Sequence, residues 1–127
     1  MKSMLFALLF AVSSVAYGAD HKFGDITHKE LTEAIKAKTV VLIDVNGSDS
    51  FKSGHIPGAL DFETKEKELA ATLPKDKAAL VVAYCGSPQC PAWEEGAKAV
   101  AALGYTNVKH YTGGISGWKE AGGEIQK

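Results

Sequence analysis

Leu80-Val81-Val82-Ala83-Tyr84-Cys85-Gly86-Ser87-Pro88-Gln89-Cys90-Pro91 is the stretch that decides the fold. Leu80 to Tyr84 is a short continuous apolar run rich in β-formers, the pattern of a strand buried on both faces. It ends at Cys85. The loop Cys85–Cys90 follows, and Pro91 stands where a helix accepts proline, at its first position. Helix formers then dominate to Leu103, with Ala92, Ala99, Val100 and Leu103 spaced to build one buried face and Gly104 as the stop. A cysteine so placed meets the loop amides and the positive end of a helix dipole. That field favours a thiolate, a persulfide anion or an oxyanion-bearing substrate. For an arbitrary pair a quiet disulfide is the simpler reading; the strand–loop–helix setting favours a chemical role for Cys85, though not for Cys90.

Working outward, Val40 to Val45 reads as a second buried strand, with Asp44 at its carboxyl end, where open parallel sheets place their sites. Taken alone, Asp44 is equally a turn or cap residue. Ahead of it, Phe23–Ile26 reads as a short strand. Thr27 and Glu30 form a capping box for a helix from His28 to about Lys38. After it, Ser48–Gly54 reads as one short helical turn, and His55-Ile56-Pro57-Gly58-Ala59 leads back to the sheet. His55 reads as a loop-fixing residue rather than a general base, because nothing near it suggests a triad. Thr64–Leu73 is charged and alanine-rich, with Leu69 and Leu73 on one face: a surface helix closed by Pro74. Asn107–Tyr111 is a last strand, and Gly113-Gly114 opens a helix over Ile115–Ala121 anchored by Trp118. Strands alternating with helices at these lengths predict one α/β domain around a parallel sheet flanked by helices.

The chain opens with Lys2, an apolar core from Met4 to Val12, and small residues from Ser13 to Ala19, the form of a secretory signal peptide. The apolar run is too short for the ~20 residues of a membrane span. Residues 1–18 are therefore expected to be removed, by cleavage after Ala16 or Gly18, leaving a domain over 19–127 that is periplasmic or secreted and free of the membrane. Without Lys2, 13 of the 14 basic residues face 15 acidic ones. No basic tract stands out, which argues against nucleic acid as a partner. Every one of those basic residues is lysine; there is no arginine, the usual bidentate grip on oxyanions.

Three separated pieces, LIDV (Leu42–Val45) with GHIPGA (Gly54–Ala59), YCGSPQC (Tyr84–Cys90) and YTGGISGW (Tyr111–Trp118), resemble the single-domain rhodanese family of the exported bacterial kind. The resemblance covers the chain from about Phe23 to its end. It implies a sulfurtransferase in which Cys85 takes sulfane sulfur from a small donor, holds it as a persulfide, and passes it to a thiol or cyanide-like acceptor or to a partner protein. Gly86, Ser87, Gln89 and Cys90 would line the anion cradle, Pro88 having no N–H to give. Asp44 and His55 would orient surrounding loops, and no metal or organic cofactor is required.

Two positions depart from the family pattern. Many active members close the loop with arginine where this chain has Cys90, and often carry another where it has Asn46. The first change puts thiosulfate in doubt as the natural donor. It also makes Cys90 a candidate resolving thiol, set against a second reading in which Cys90 is a small residue whose sulfur points away. A related phosphatase group uses a longer loop ending in arginine, so phosphate-ester hydrolysis is not expected. A thioredoxin-like pair has C-x-x-C spacing, whereas four residues intervene here. Two cysteines fall short of a structural zinc site. Besides the enzyme, two other classes remain: a non-catalytic sulfur-carrier or binding module, and a thiol–disulfide protein cycling Cys85–Cys90.

Overall fold

A computed structural model describes residues 23–127; the signal segment expected over 1–18 and its cleavage site lie outside the described residues. Five strands, β1 (Gly24–Asp25), β2 (Val40–Asp44), β3 (Leu60–Asp61), β4 (Leu80–Tyr84) and β5 (Val108–His110), form one sheet in the order β1-β5-β4-β2-β3. Every pairing is parallel. This is the α/β sheet that the alternation of strands and helices predicts, with β4, the strand that leads into Cys85, at its centre.

Strand alternation divides the core in two. Ile43, Val81 and Ala83 face one layer with Phe62, Leu69, Ala97 and Val100. Leu42, Val82 and Tyr84 face the other with Leu31, Ile56, Tyr111 and Trp118. Helices α1 (His28–Ala37) and α6 (Gly114–Glu120) supply Leu31 and Trp118 to the second layer, and α5 (Trp93–Ala102) supplies Ala97 and Val100 to the first. The α1 capping box forms as the sequence predicts: Thr27 accepts from the Glu30 amide and the Glu30 carboxylate from the Thr27 amide, each at 3.1 Å. On α5, Gly96 permits close approach to the sheet, because a Cβ there would lie 2.8 Å from Val45 Cγ2.

His55–Ala59 leads back to the sheet at Leu60–Asp61, an edge strand too short to carry a periodic signal, which pairs with Ile43 and Asp44. Two expectations need correction. The single helix expected over Thr64–Leu73 is three pieces: α3 (Phe62–Lys65), a 3₁₀ turn (Glu66–Glu68) and α4 (Leu69–Thr72). Between Phe62 and Leu69 every residue is polar. No core contact holds that middle in α geometry, and helices this short do not persist on propensity alone. Finally, α5 starts at Trp93, not Pro91. The amides of Glu94 and Glu95 reach back three residues to the Pro91 and Ala92 carbonyls (3.2 and 3.1 Å), a tight turn that precedes the α pattern.

The carboxyl ends of β2 and β4, just ahead of short α2 (Ser48–Ser53), are joined by one buried network. Parallel register sets Asp44 beside Tyr84. The Tyr84 hydroxyl donates to Asp44 Oδ2 (2.8 Å) and accepts from the Ile56 amide (3.1 Å), while the Asn46 amide donates to Asp44 Oδ1 (2.9 Å). Both side chains are fully buried, at 0% exposure. Burial, and then the Asp44 charge, push the Tyr84 hydroxyl far above its ordinary range, so it remains a donor. Burial also pushes the Asp44 carboxyl above the usual carboxylate range, against the pull of its Tyr84 and Asn46 hydrogen bonds.

A carboxyl whose folded pKa lies above its unfolded value binds protons more readily in the fold. Its contribution is fully present below the unfolded pKa and is lost as pH rises through the folded one. Wild type should therefore gain stability relative to Asp44→Asn as pH is lowered from neutral toward about 4. Urea melts of both proteins at several pH values check this; a difference that does not change, or moves the other way, overturns it.

Candidate active site

Cys85 follows β4 directly and is 1% exposed. Two backbone hydrogen bonds shape the loop it begins: Ile115 N–H donates to the Cys85 carbonyl (2.9 Å), and Ser116 N–H to the Gly86 carbonyl (3.0 Å). In a trans peptide the N–H points opposite to its own carbonyl. The carbonyls are held by the first turn of α6, so the Gly86 and Ser87 amides are turned away from it. Neither these amides nor that of Gln89 has a hydrogen-bond partner among the described residues. The Cys90 amide differs: it donates to the Ser87 carbonyl (3.1 Å), closing a β-turn with Pro88 at its second position.

That close approach depends on Gly114. It has a φ of +62°, and a Cβ there would fall 2.6 Å from the Cys85 carbonyl oxygen and 2.8 Å from the Ser87 nitrogen. Gly113-Gly114 thus opens α6 and also seats the cysteine loop.

Cys85 and Cys90 are joined in a disulfide, their Cα atoms 6.2 Å apart. The sulfur of Cys90 points at Cys85, not away from it. Cys85 Sγ also lies 3.1 Å from the Cys90 carbonyl oxygen, which is placed to accept from the thiol when the bond is opened. No other side chain touches Cys85 by hydrogen bond among the described residues. The dipole of α5 is less available to the sulfur than the sequence suggests, because Glu94 and Glu95 occupy the first turn of that helix.

Asp44 lies in the buried network and does not reach the loop directly; Asn46, which it positions, does. A Cβ on Gly86 would stand 3.2 Å from Asn46 Oδ1. His55 sits farther round: its Nδ1 is 2.8 Å from the Phe51 carbonyl oxygen, and its ring stacks on Phe51 at 3.7 Å. Its backbone pairs with Gln126.

Two clefts lie beside residues that adjoin the loop. One of about 320 Å³ is lined by Asn46, Asp49, Ser50, Gly54, Ile115 and Lys119 among others. The other, about 210 Å³, is lined by Ala92 and by Glu63, Glu66 and Glu95 with Val45, Gly47 and Phe62. The sequence named none of Lys119, Ile115 and Ser116 for the site. Lys119 is one lysine among many, and the two amides belong to the backbone. The Gly113-Gly114 pair was the one local signal of close packing there.

A parallel α/β sheet presenting a cysteine loop at the end of its central strand defines a class, and comparison with known proteins gives the same class. The rhodanese-like domain family matches residues 27–121, and the chain belongs to that family. It is 29% identical over 102 residues to the thiosulfate sulfurtransferase GlpE of Shewanella oneidensis, covering 78% of this chain and 95% of that one. The protein of the same name from Coxiella burnetii is 30% identical over 98 residues, covering 76% and 88%. A solved thiosulfate sulfurtransferase from Pseudomonas aeruginosa has a TM-score of 0.70 and 27% identity, covering 83% of this chain and 20% of that longer one. The human single-domain sulfurtransferase TSTD1 shares the fold, with a TM-score of 0.62 at 23% identity over 78% of this chain and 97% of that one. Family and relatives together support sulfurtransferase activity in general terms.

Gly114→Ala should unseat the loop. Left-handed strain and overpacking against backbone together cost on the order of 2–4 kcal/mol. Thermal and urea melts should show that loss, and Cys85 should become more reactive to alkylation in the reduced variant. Unchanged stability and unchanged alkylation rate would remove Gly114 from this role.

Proposed function

We propose that the chain is an exported sulfurtransferase that takes sulfane sulfur onto Cys85 as a persulfide and hands it to a thiol, a cyanide-like acceptor or a receiving protein. The observation that carries this reading is the set of three unpartnered amides, Gly86, Ser87 and Gln89, in the loop that Cys85 begins. Amides fixed in advance stabilise an anion without reorganising as it forms. They suit the thiolate that attacks and the persulfide that results. The working form is the reduced one, since the disulfide occupies the nucleophile. A chain with the signal features of residues 1–18 would work in an oxidising compartment, where such a bond forms readily.

Donor choice follows from charge. The relatives named above are thiosulfate sulfurtransferases, but a dianionic sulfonate finds no guanidinium in this loop. Three glutamates line one flank, which repels it. Lys119 is the cation lining the other flank, with Asp49 opposing it there. An uncharged or singly charged sulfane sulfur, such as hydrodisulfide or a low-molecular-weight persulfide, fits this balance better than thiosulfate. A non-catalytic sulfur carrier on the same geometry would load but not turn over.

Intact mass of the reduced protein after exposure to polysulfide should show one added sulfur, lost in Cys85→Ser. Retention of loading in that variant overturns the assignment, and loading without turnover to cyanide or a thiol supports the carrier instead. Thiosulfate:cyanide activity should be weak. Lys119→Gln should raise the thiosulfate KM further, with kcat and polysulfide loading little changed. Cys90→Arg should lower that KM by roughly ten- to a hundredfold, for a charge-assisted hydrogen bond of about 1.5–3 kcal/mol. Saturation of wild type at micromolar thiosulfate, with no response to either substitution, would refute the charge argument.

A further inference from the structure

We propose that the chain also reduces sulfane sulfur to sulfide, with Cys90 as the thiol that resolves the Cys85 persulfide and an external dithiol as the reductant that restores it. The inference rests on the reading that Cys85 carries sulfur. It adds a second fate for that sulfur, one needing no acceptor.

The geometry brings three things together. The Ser87–Cys90 turn, closed by the Cys90 amide on the Ser87 carbonyl at 3.1 Å, folds Cys90 back over the start of the loop. The two sulfurs are bonded with Cα atoms 6.2 Å apart, a separation native disulfides commonly span. The pair is also unequal: Cys85 is 1% exposed, whereas Cys90 is partly exposed between exposed Gln89 and exposed Pro91.

The chemistry balances as follows. In the loaded protein the Cys90 thiolate attacks Cys85 Sγ, the inner sulfur of the persulfide. The Sγ–Sγ bond forms and the bond from Cys85 Sγ to the outer sulfur breaks. The outer sulfur leaves with the electron pair as hydrosulfide, taking up the proton that Cys90 gave. Sulfane sulfur is reduced to sulfide, two cysteine thiols are oxidised to one disulfide, and the product is the bond the structure contains.

Reduction then has a direction. A dithiol reaches the more exposed residue, Cys90, and Cys85 leaves as a thiolate in the loop whose Gly86, Ser87 and Gln89 amides have no partner among the described residues. A better-stabilised leaving thiolate departs faster. The second thiol of the reductant resolves the mixed disulfide and frees Cys90. In sum, one sulfane sulfur and one dithiol give one hydrogen sulfide and one oxidised dithiol.

The test is a single turnover without external thiol. Reduced full-length wild type and Cys90→Ser are loaded with inorganic polysulfide, stripped of donor, and followed by sulfide release and intact mass. Wild type should release one sulfide per loaded chain and end two hydrogens lighter than its reduced form. Cys90→Ser should hold its persulfide roughly a hundredfold longer, having lost a thiol held within reach. Equal persulfide lifetimes with no disulfide in wild type overturn the inference while leaving the sulfurtransferase reading intact. Failure of both proteins to load overturns both. Direction is read by treating oxidised wild type with limiting glutathione, alkylating, and mapping peptides: glutathione should sit on Cys90 and the alkyl group on Cys85. The reverse placement overturns the directional step.

Discussion

The hydrogen bonds from the Ile115 and Ser116 amides to the Cys85 and Gly86 carbonyls are the constraint on which the site depends. A strand-end loop of this length has many conformations, and most would spend its amides on its own carbonyls. Fixing two successive carbonyls from outside removes that option for the first two peptides. The grip needs α6 to begin against the loop itself, hence Gly114, where even a methyl group would meet backbone atoms. It also needs α6 held from behind, which Trp118 does at 4% exposure, its indole N–H donating to the Glu124 carbonyl at 2.6 Å. The last helix in the chain thus sets the chemistry of a loop placed well before it.

A second constraint acts from the opposite side of the loop. Asp44 and Tyr84 end neighbouring strands and are buried together, with the Ile56 and Asn46 amides completing their hydrogen bonds. A buried carboxyl is costly unless its oxygens are satisfied; here both are. The network ties the strand that delivers Cys85 to the turn that delivers Asn46 beside Gly86. On the proposed chemistry, anion stabilisation in this protein is a property of backbone placement. No guanidinium contributes, the α5 dipole is shared with Glu94 and Glu95, and the cation lining the two clefts described is Lys119. Fixed neutral dipoles hold a small, singly charged sulfur anion well. They discriminate poorly in favour of a dianion, which needs compensating charge.

The parts of this architecture legible in the sequence were those written in local pattern. The apolar runs Val40–Asp44 and Leu80–Tyr84 could be little other than buried strands, and Thr27 with Glu30 marked a helix start outright. Cys85 stood out because strand, loop and helix meet there. What could not be read depended on register and on distant segments. Leu60–Asp61 becomes a strand only because β2 offers an edge, and the single helix that pattern suggests over Thr64–Leu73 is broken at Glu66–Glu68, where no core contact holds it. Asp44 was noticed for its position at a strand end, yet its partner Tyr84 is set by parallel pairing that no local pattern encodes. Lys119 and the α6 amides joined the site through tertiary packing. For Cys90 the sequence left two orientations open, and the direction of its sulfur is a matter of turn geometry.

With Cys90 in reach, any sulfur that Cys85 accepts faces two competitors. A thiol tethered close to its target behaves as though present at about millimolar concentration, and far higher when aligned. A small acceptor free in solution at micromolar levels loses that race unless its intrinsic reactivity compensates. A receiving protein that docks on the loop escapes the comparison, because docking raises its own local concentration and can cover the turn that carries Cys90. The same pair of cysteines therefore sorts outcomes by circumstance. On the proposed chemistry a docked or strongly nucleophilic acceptor would receive sulfur; in its absence sulfide would be released and the site would close as a disulfide. An arginine in place of Cys90 would strengthen the grip on a dianionic donor and abolish that choice, so on this proposal the residue that weakens the hold on thiosulfate is the one that would give the chain its second chemistry.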